Sequence, residues 1–209
     1  MNMAEANPIS RLEAFCDGVF AIALTLLIID VRIPPTTEIH NNAEFWQALR
    51  HVIPLISSFL LSFAIILITW VNHHNALKLV NKSCSAFLYA NGFLLLTVVF
   101  IPFPTSLLGE HLLTNHAAPA VILYSAVLVL QAIGWILISQ TGLRYGLARS
   151  EKTAMTLRKS GQYGYYSIFV STMFAVLSIW FPRIIAILIA LMWLFWLGFG
   201  IRLNREEKD

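Results

Sequence analysis

The sequence predicts an all-α integral membrane protein with six transmembrane helices, and two observations support that prediction. Hydrophobic residues make up 58% of the 209 residues, charged residues only 12%, and the mean hydropathy is +0.72. A soluble domain is about half apolar and a quarter charged, so this chain lacks the polar residues that would cover a water-exposed surface. The apolar residues also fall in runs of roughly 18 or more, the length of a helix that crosses a bilayer.

Six apolar segments follow one another along the chain and leave no room for a separate soluble domain. Because backbone groups in hydrocarbon must be satisfied within each segment, these runs are expected to be helices. The third contains Pro102-Phe103-Pro104 near its end, and the turn Phe181-Pro182-Arg183 separates the last two. Ser10 and Glu13 have the spacing of a capping box, which predicts that the first helix begins at Ser10. The expected spans are residues 11–33, 45–72, 85–108, 119–142, 163–181 and 184–202.

The basic residues lie mostly on one side of this topology and set its orientation. The chain holds 14 lysines and arginines against 11 acidic residues, a net charge of only +3. Arg32, Arg50 and Arg183 fall on one side. The tails and even-numbered loops hold the others, which are Arg11, Lys78, Lys82, Arg144, Arg149, Lys152, Arg158, Lys159, Arg202, Arg205 and Lys208. By the positive-inside rule both termini are expected in the cytoplasm, so topology rather than nucleic-acid binding accounts for the basic charge.

An acidic residue, Asp17, lies inside the first span, where a charge is expensive and marks a buried partner or a water-filled path. Arg11 precedes it by six residues, so the two point to different faces of one helix and could pair only across helices or subunits. His73 and His74 end the second span at the same depth and are the other candidate partners. Two interpretations stay open: a tether between helices, or a direct part in transport.

One stripe of the first helix carries Ile22, Thr25 and Ile29, which follow the i, i+3, i+7 spacing of a single helical face. Small residues at Gly18, Ala21 and Ala23 would permit close helix contact nearby. Taken alone, the stripe fits ordinary helix packing better than a pore lining, because nearly every transmembrane helix offers such a stripe.

The first helix also carries a motif that resembles a known family. The motif is Arg11-x-x-x-Phe15-Cys16-Asp17, continued through Gly18-Val19-Phe20-Ala21-Ile22-Ala23-x-Thr25-Leu26-Leu27. It is similar to the start of the first helix in prokaryotic members of the transmembrane protein 175 family, the endolysosomal potassium channels. Two further stretches agree with that family, Trp70-x-x-His73-His74 and the run from Asn91-x-x-Leu94-Leu95 to Pro102-Phe103-Pro104-Thr105. Cys16 stands where the family usually has serine, and a thiol is the weaker hydrogen-bonding group.

The resemblance implies a homotetramer in the lipid bilayer of a bacterial plasma membrane, with the first helix of each subunit lining a central pore. The permeant ion would be potassium, with sodium as a lesser one, and no cofactor or bound metal is implied. Ile22 and Ile29 would form an apolar constriction with Thr25 between them. A network would hold the cytoplasmic end of the pore helix, and it would comprise Arg11, Phe15, Cys16, Asp17, Trp70, His73 and His74.

Two other functions stay in view at this stage. A proton-coupled cation transporter would use Asp17 with His73 or His74 as a proton relay, although the inverted repeats and broken helices of transporters are not evident. A membrane enzyme is the weaker alternative, because no nucleophile or HExxH motif occurs and adjacent histidines on a helix face different ways. Cys16 and Cys84 are too few for a disulfide framework.

Overall fold

The computed structural model describes residues 8–32 and 39–206, and all helices and turns discussed below lie in those ranges. Regular structure there is helical, apart from one isolated β-bridge between Val80 and Ala148. The all-α prediction is therefore confirmed. The helices are α1 (Pro8–Leu26), α2 (Asn42–Lys78), α3 (Ser85–Phe100), α4 (Pro102–His111), α5 (Ala117–Arg144), α6 (Glu151–Leu177) and α7 (Pro182–Glu206).

Helix α1 differs from its predicted form at both ends. Its helical residues include Pro8, so Ser10 lies inside the helix and the predicted capping box is wrong. At the other end, Leu27–Asp30 form a turn of 3₁₀-helix rather than a continued α-helix. This tighter turn ends where Val31 leaves helical geometry and its N–H bonds to the Ile28 carbonyl.

Proline divides the third helical rod into α3 and α4. Pro102 has no N–H to donate, so it cannot continue the hydrogen-bond ladder of α3. The ladder resumes when Thr105 donates its N–H to the Ile101 carbonyl at 3.1 Å. Helix α2 also contains a proline, Pro54, but it runs unbroken through 37 residues, which is about 55 Å at 1.5 Å per residue.

Several helices are suited to crossing a membrane. In the part of the chain that the structure describes, four segments are long and apolar enough, namely Ile9–Ile29, Asn42–Lys78, Ser85–His111 and Ala117–Arg144. Helix α6 carries Lys152, Arg158 and Lys159 in its first ten residues, and Pro182–Phe195 of α7 is a shorter apolar stretch. The predicted crossings at 163–181 and 184–202 correspond to α6 and α7 and stay predictions.

Helix α5 forms the centre of the molecule, with α3, α4, α6 and α7 around it. Glycines allow α6 to approach it closely: a Cβ at Gly161 would lie 2.6 Å from Oγ of Ser139, and one at Gly164 would lie 2.6 Å from Cγ1 of Ile136. Such distances are too short for any larger residue without movement of the neighbour. Helix α1 lies to one side of this core, where it packs against α2 and α3.

Candidate functional site

Helix α1 has one buried face and one open face. Its buried residues are spaced three or four apart, as expected for one side of a helix. They are Ile9, Leu12, Cys16, Phe20, Ala23 and, in the 3₁₀ turn, Leu27. The predicted constriction residues lie on the opposite side, where Ile22 is 59% exposed and Ile29 is 52% exposed. The protomer thus leaves this side of α1 uncovered.

The open face combines large apolar side chains with one hydroxyl. Thr25 is exposed between Ile22 and Ile29, and its Oγ1 donates to the carbonyl of Ile22 at 2.8 Å. Because the hydroxyl hydrogen is used within the helix, the lone pairs of Oγ1 stay free to accept or to ligate. Phe15 is 63% exposed and lies seven residues, or about two helical turns, before Ile22. We call the exposed set Phe15, Ile22, Thr25 and Ile29 the open stripe of α1.

Two polar contacts join α1 to the end of α2. The indole Nε1 of Trp70 donates to Oδ1 of Asp17 at 2.8 Å, and Nδ1 of His74 lies 2.8 Å from Oε1 of Glu13. The second contact has the distance of an ion pair without the angle of a hydrogen bond. Each pair of residues on one helix is four apart, so the antiparallel helices meet at two successive turns. The imidazole of His74 also stacks on Trp70, with ring centroids 6.2 Å apart.

His73 points into the protomer instead of toward Asp17. It is 1% exposed, and its Nε2 lies 2.8 Å from Oδ1 of Asn91 on α3. The amide nitrogen of Asn91 donates to the Phe87 carbonyl at 2.7 Å, which leaves the amide oxygen for histidine. Nε2 must then carry the ring hydrogen. The imidazole also contacts Phe20 of α1 and Trp135 of α5, so this side chain of α2 meets three other helices.

The structure therefore divides the predicted network into separate parts. Asp17, Trp70 and His74 lie together, whereas His73 belongs to a buried junction with Asn91. Arg11 and Phe15 are exposed, and within the described residues of the protomer Arg11 makes no ion pair or hydrogen bond. Cys16 is a free thiol, completely buried on the packed side of α1.

Sequence reasoning missed two residues that complete these contacts. The capping-box spacing assigns Glu13 to a helix cap, yet its Oε1 lies 2.8 Å from His74 Nδ1. Its spacing of four from Asp17, matched by the spacing of Trp70 and His74, was the available signal. Asn91 entered only as part of a family-like stretch, although a buried histidine needs a polar partner within reach.

Several helices of this chain are long and apolar enough to span a membrane, so the chain is a multi-pass membrane protein. Its first span also contains an acidic group, Asp17, that is hydrogen-bonded to another helix. Residues 11–102 match the family model described as "Endosomal/lysosomal potassium channel TMEM175". That range includes every predicted site residue. A Chryseobacterium protein named a potassium channel is 30% identical over 192 residues, which cover 88% of this chain and 91% of that relative. The chain belongs to the TMEM175 family.

A relative and a solved structure, both from Chamaesiphon minutus, extend the comparison. One, named a potassium channel, is 43% identical over 129 residues, which cover 62% of this chain and 63% of that relative. The other is a crystal structure described as a lysosomal potassium-selective channel TMEM175 homolog. It superposes with a TM-score of 0.62 at 33% identity and covers 88% of this chain and 97% of that one. The likeness to a solved structure thus extends well beyond the family-model match.

Proposed function

We propose that the chain forms a potassium-permeable cation channel, a homotetramer in which the first helix of each subunit lines a central pore. The observation that carries the proposal is the open stripe of α1, which places Ile22, Thr25 and Ile29 on a side that the protomer leaves uncovered. Helix α1 is anchored to the protomer on one side and carries an apolar stripe on the other. This arrangement suits a helix that lines a pore around a symmetry axis. Relatives named potassium channels support the choice of ion.

The constriction would act through hydration. Isoleucine side chains offer an ion nothing in place of its water, and burying a bare charge in hydrocarbon costs tens of kcal/mol in the idealised limit. The ring formed by Ile22 and Ile29 therefore conducts when it is wide enough for hydrated or partly hydrated cations, and it closes when it dewets. Thr25 supplies the oxygen atoms at this level, four in a tetramer, and gives a modest preference for potassium over sodium.

The contacts of Asp17 and Glu13 with α2 would fix the cytoplasmic end of the pore helix. Asp17 accepts a hydrogen from an indole, a group that does not exchange protons readily, and it makes no direct bond to either histidine. This arrangement suits an anchor better than a proton relay. Arg11 and Phe15 are exposed in the protomer and would meet a neighbouring subunit. With both termini in the cytoplasm, the channel would lie in a bacterial plasma membrane.

Ion flux from liposomes that hold the purified chain tests the proposal. Potassium-loaded vesicles should empty rapidly, without saturation at high potassium, and faster than sodium-loaded vesicles. A pH-sensitive dye inside the same vesicles serves as the control for coupled proton movement. Slow, saturable efflux with a fixed proton ratio would assign a proton-coupled transporter instead. Folded protein that moves neither ion would contradict the channel.

A further inference from the structure

Helix α6 is attached to the protomer along one side. Its buried residues Leu157, Gly161, Gly164, Ser171 and Phe174 face the molecule, and its main neighbour is α5. Ser139 of α5 strengthens this side with a hydrogen bond from its Oγ to the Leu157 carbonyl. Glycines at the contact keep the two helices close, so α6 is held firmly although few elements surround it.

The opposite side of α6 is uncovered along the whole helix. Lys159, Gln162, Tyr166, Phe169 and Met173 follow a spacing of three and four, and all five are exposed. Tyr166 is 70% exposed and Phe169 is 69% exposed. We call these five residues the outer face of α6. It changes from basic through aromatic to aliphatic in the direction of the chain.

With α6 crossing the membrane as the sequence predicts, its length puts this change at a membrane boundary. Arg158 to Leu177 rises about 29 Å, close to the roughly 30 Å of bilayer hydrocarbon. With the apolar end of α6 in hydrocarbon, Arg158 and Lys159 reach the phosphate layer of the leaflet on the basic side of the protein. Tyr166 then lies just inside that boundary, where amphipathic rings are favoured. Long basic side chains can also extend their charge toward the headgroups.

The charge of this region is positive and unneutralised. Glu151 is the only acidic residue of α6, and it precedes Arg158 by seven residues, about 10 Å along the helix. Neither Arg158 nor Lys159 makes an ion pair with any residue that the structure describes, and both are exposed. Arg144 at the end of α5 adds a further exposed positive charge to the same side of the protein.

We propose that the outer face of α6 binds an anionic phospholipid. Its phosphate is held by Lys159 of that face and by the neighbouring Arg158, the glycerol region lies against Tyr166, and an acyl chain follows Phe169 and Met173. Basic charge complements the phosphate, and the aromatic and aliphatic residues fit the lipid at the depths where its polar and apolar parts lie. The site lies on α6, away from the open stripe of α1, and binding does not require that the protein conduct ions.

Lipid binding by the purified protein tests the site directly. Native mass spectrometry in mild detergent should find phosphatidylglycerol retained in preference to phosphatidylcholine. The double variant Arg158→Gln/Lys159→Gln should lower phosphatidylglycerol retention roughly tenfold, since each basic residue near an anionic surface contributes to attraction. The matched control is Lys78→Gln/Lys82→Gln, which removes the same charge at two exposed positions, the last residue of α2 and the loop that follows it. It should stay within about twofold of the unaltered protein.

Each result decides for or against the site. Equal losses in the two double variants would mean a general charge effect and would overturn the specific site. Unchanged retention in Arg158→Gln/Lys159→Gln would do the same. If that variant instead altered the oligomer mass and left lipid retention intact, the outer face would contact a second copy of the chain and the lipid site would be rejected. Retention that falls with the oligomer unchanged supports it, whatever the ion flux.

Discussion

Helices α1 and α5 are both apolar enough to cross a membrane, yet the protomer encloses them to different degrees. In an apolar 18-residue stretch of each segment, 22% of the residues of Ile9–Ile29 are buried, against 56% of those of Ala117–Arg144. Helix α5 is surrounded by four other helices, whereas α1 meets its neighbours along one side. Hydropathy therefore locates a span, but it does not reveal how much of that helix is covered by other helices of the same protomer. The exposed residues of α1 show that one side of this helix is available to a partner or a pore.

The two helices are also held by different forces. Helix α5 is fixed by close contact, at glycines where no other residue fits without movement. Helix α1 packs on one side and is held there also by polar contacts, a hydrogen bond from Trp70 to Asp17 and a close contact between His74 and Glu13. Close packing is sensitive to added volume, and directional contacts are sensitive to the loss of a donor or acceptor. Variants that add volume or remove one partner can therefore separate the two modes.

The largest effect on stability is expected when volume is added beside α5. Gly164→Ala would place a Cβ 2.6 Å from Ile136 Cγ1 and 3.3 Å from the Ala132 carbonyl oxygen. Gly18→Ala on α1 is the matched control, because no atom of the described residues outside its own turn of helix lies within 4 Å of its Cβ. Both changes gain the same helix propensity, so their difference isolates the clash, about 2–3 kcal/mol against Gly164→Ala. Thermal unfolding in detergent measures it, and equal melting temperatures would contradict the close packing of α6 on α5.

The membrane fold could be predicted from sequence because it follows from run lengths and charge placement alone. The ends of the helices could not. The apparent cap at Ser10 failed because the helix already includes Pro8, and Glu13 lies instead 2.8 Å from His74, a residue 61 positions later. Likewise, the change to 3₁₀ geometry at Leu27 leaves no mark in a row of Leu and Ile residues. Local patterns therefore indicated four spans that the described residues support, but not the contacts that decide where they begin and end.

The residues of the site could also be anticipated, but not their pairing. Asp17 stood out because its charge is costly in a membrane, and His73 and His74 because they share its depth. Successive helical residues point about 100° apart, so the rotation of α2 decides which one faces α1. That rotation places Trp70 against Asp17, His74 against Glu13, and His73 inside. It depends on the packing of α2 against all its neighbours, which spacing along α1 does not encode.

The buried junction of His73 should be the next most sensitive point. Asn91→Leu removes the acceptor of the Nε2–H and leaves that donor in an apolar core, at a cost of about 2 kcal/mol. The double variant His73→Phe/Asn91→Leu removes both partners and should recover most of the loss. Melting temperatures of the two single variants and the double variant complete the cycle. Additive losses would mean that the two side chains do not depend on each other.

A smaller effect is expected at the anchor of α1. Trp70→Phe keeps a ring to stack on His74 but removes the Nε1–H that bonds to Asp17, so stability should fall by about 1 kcal/mol. Trp180→Phe is the control, because that indole is exposed in the turn between α6 and α7. Asp17→Asn should cost less than Trp70→Phe, since an amide oxygen still accepts. If Trp70→Phe and Trp180→Phe melted alike, the anchor would contribute nothing measurable.

The smallest effect on stability should come from the open stripe of α1, where the expected effect is on flux. Ile22→Asn exchanges one exposed side chain for another of smaller apolar area, so the melting temperature should hardly change. An amide at the constriction retains water, and potassium flux should rise severalfold because the dewetted, closed state is disfavoured. Ile28→Asn is matched in chemistry and in exposure, at 53%, but lies away from the stripe, so it should leave flux unchanged. Equal flux in both variants would place the constriction elsewhere, while a rise in both would point to a general loosening of α1. A rise confined to Ile22→Asn, without loss of stability, would identify the uncovered side of α1 as the surface that controls permeation.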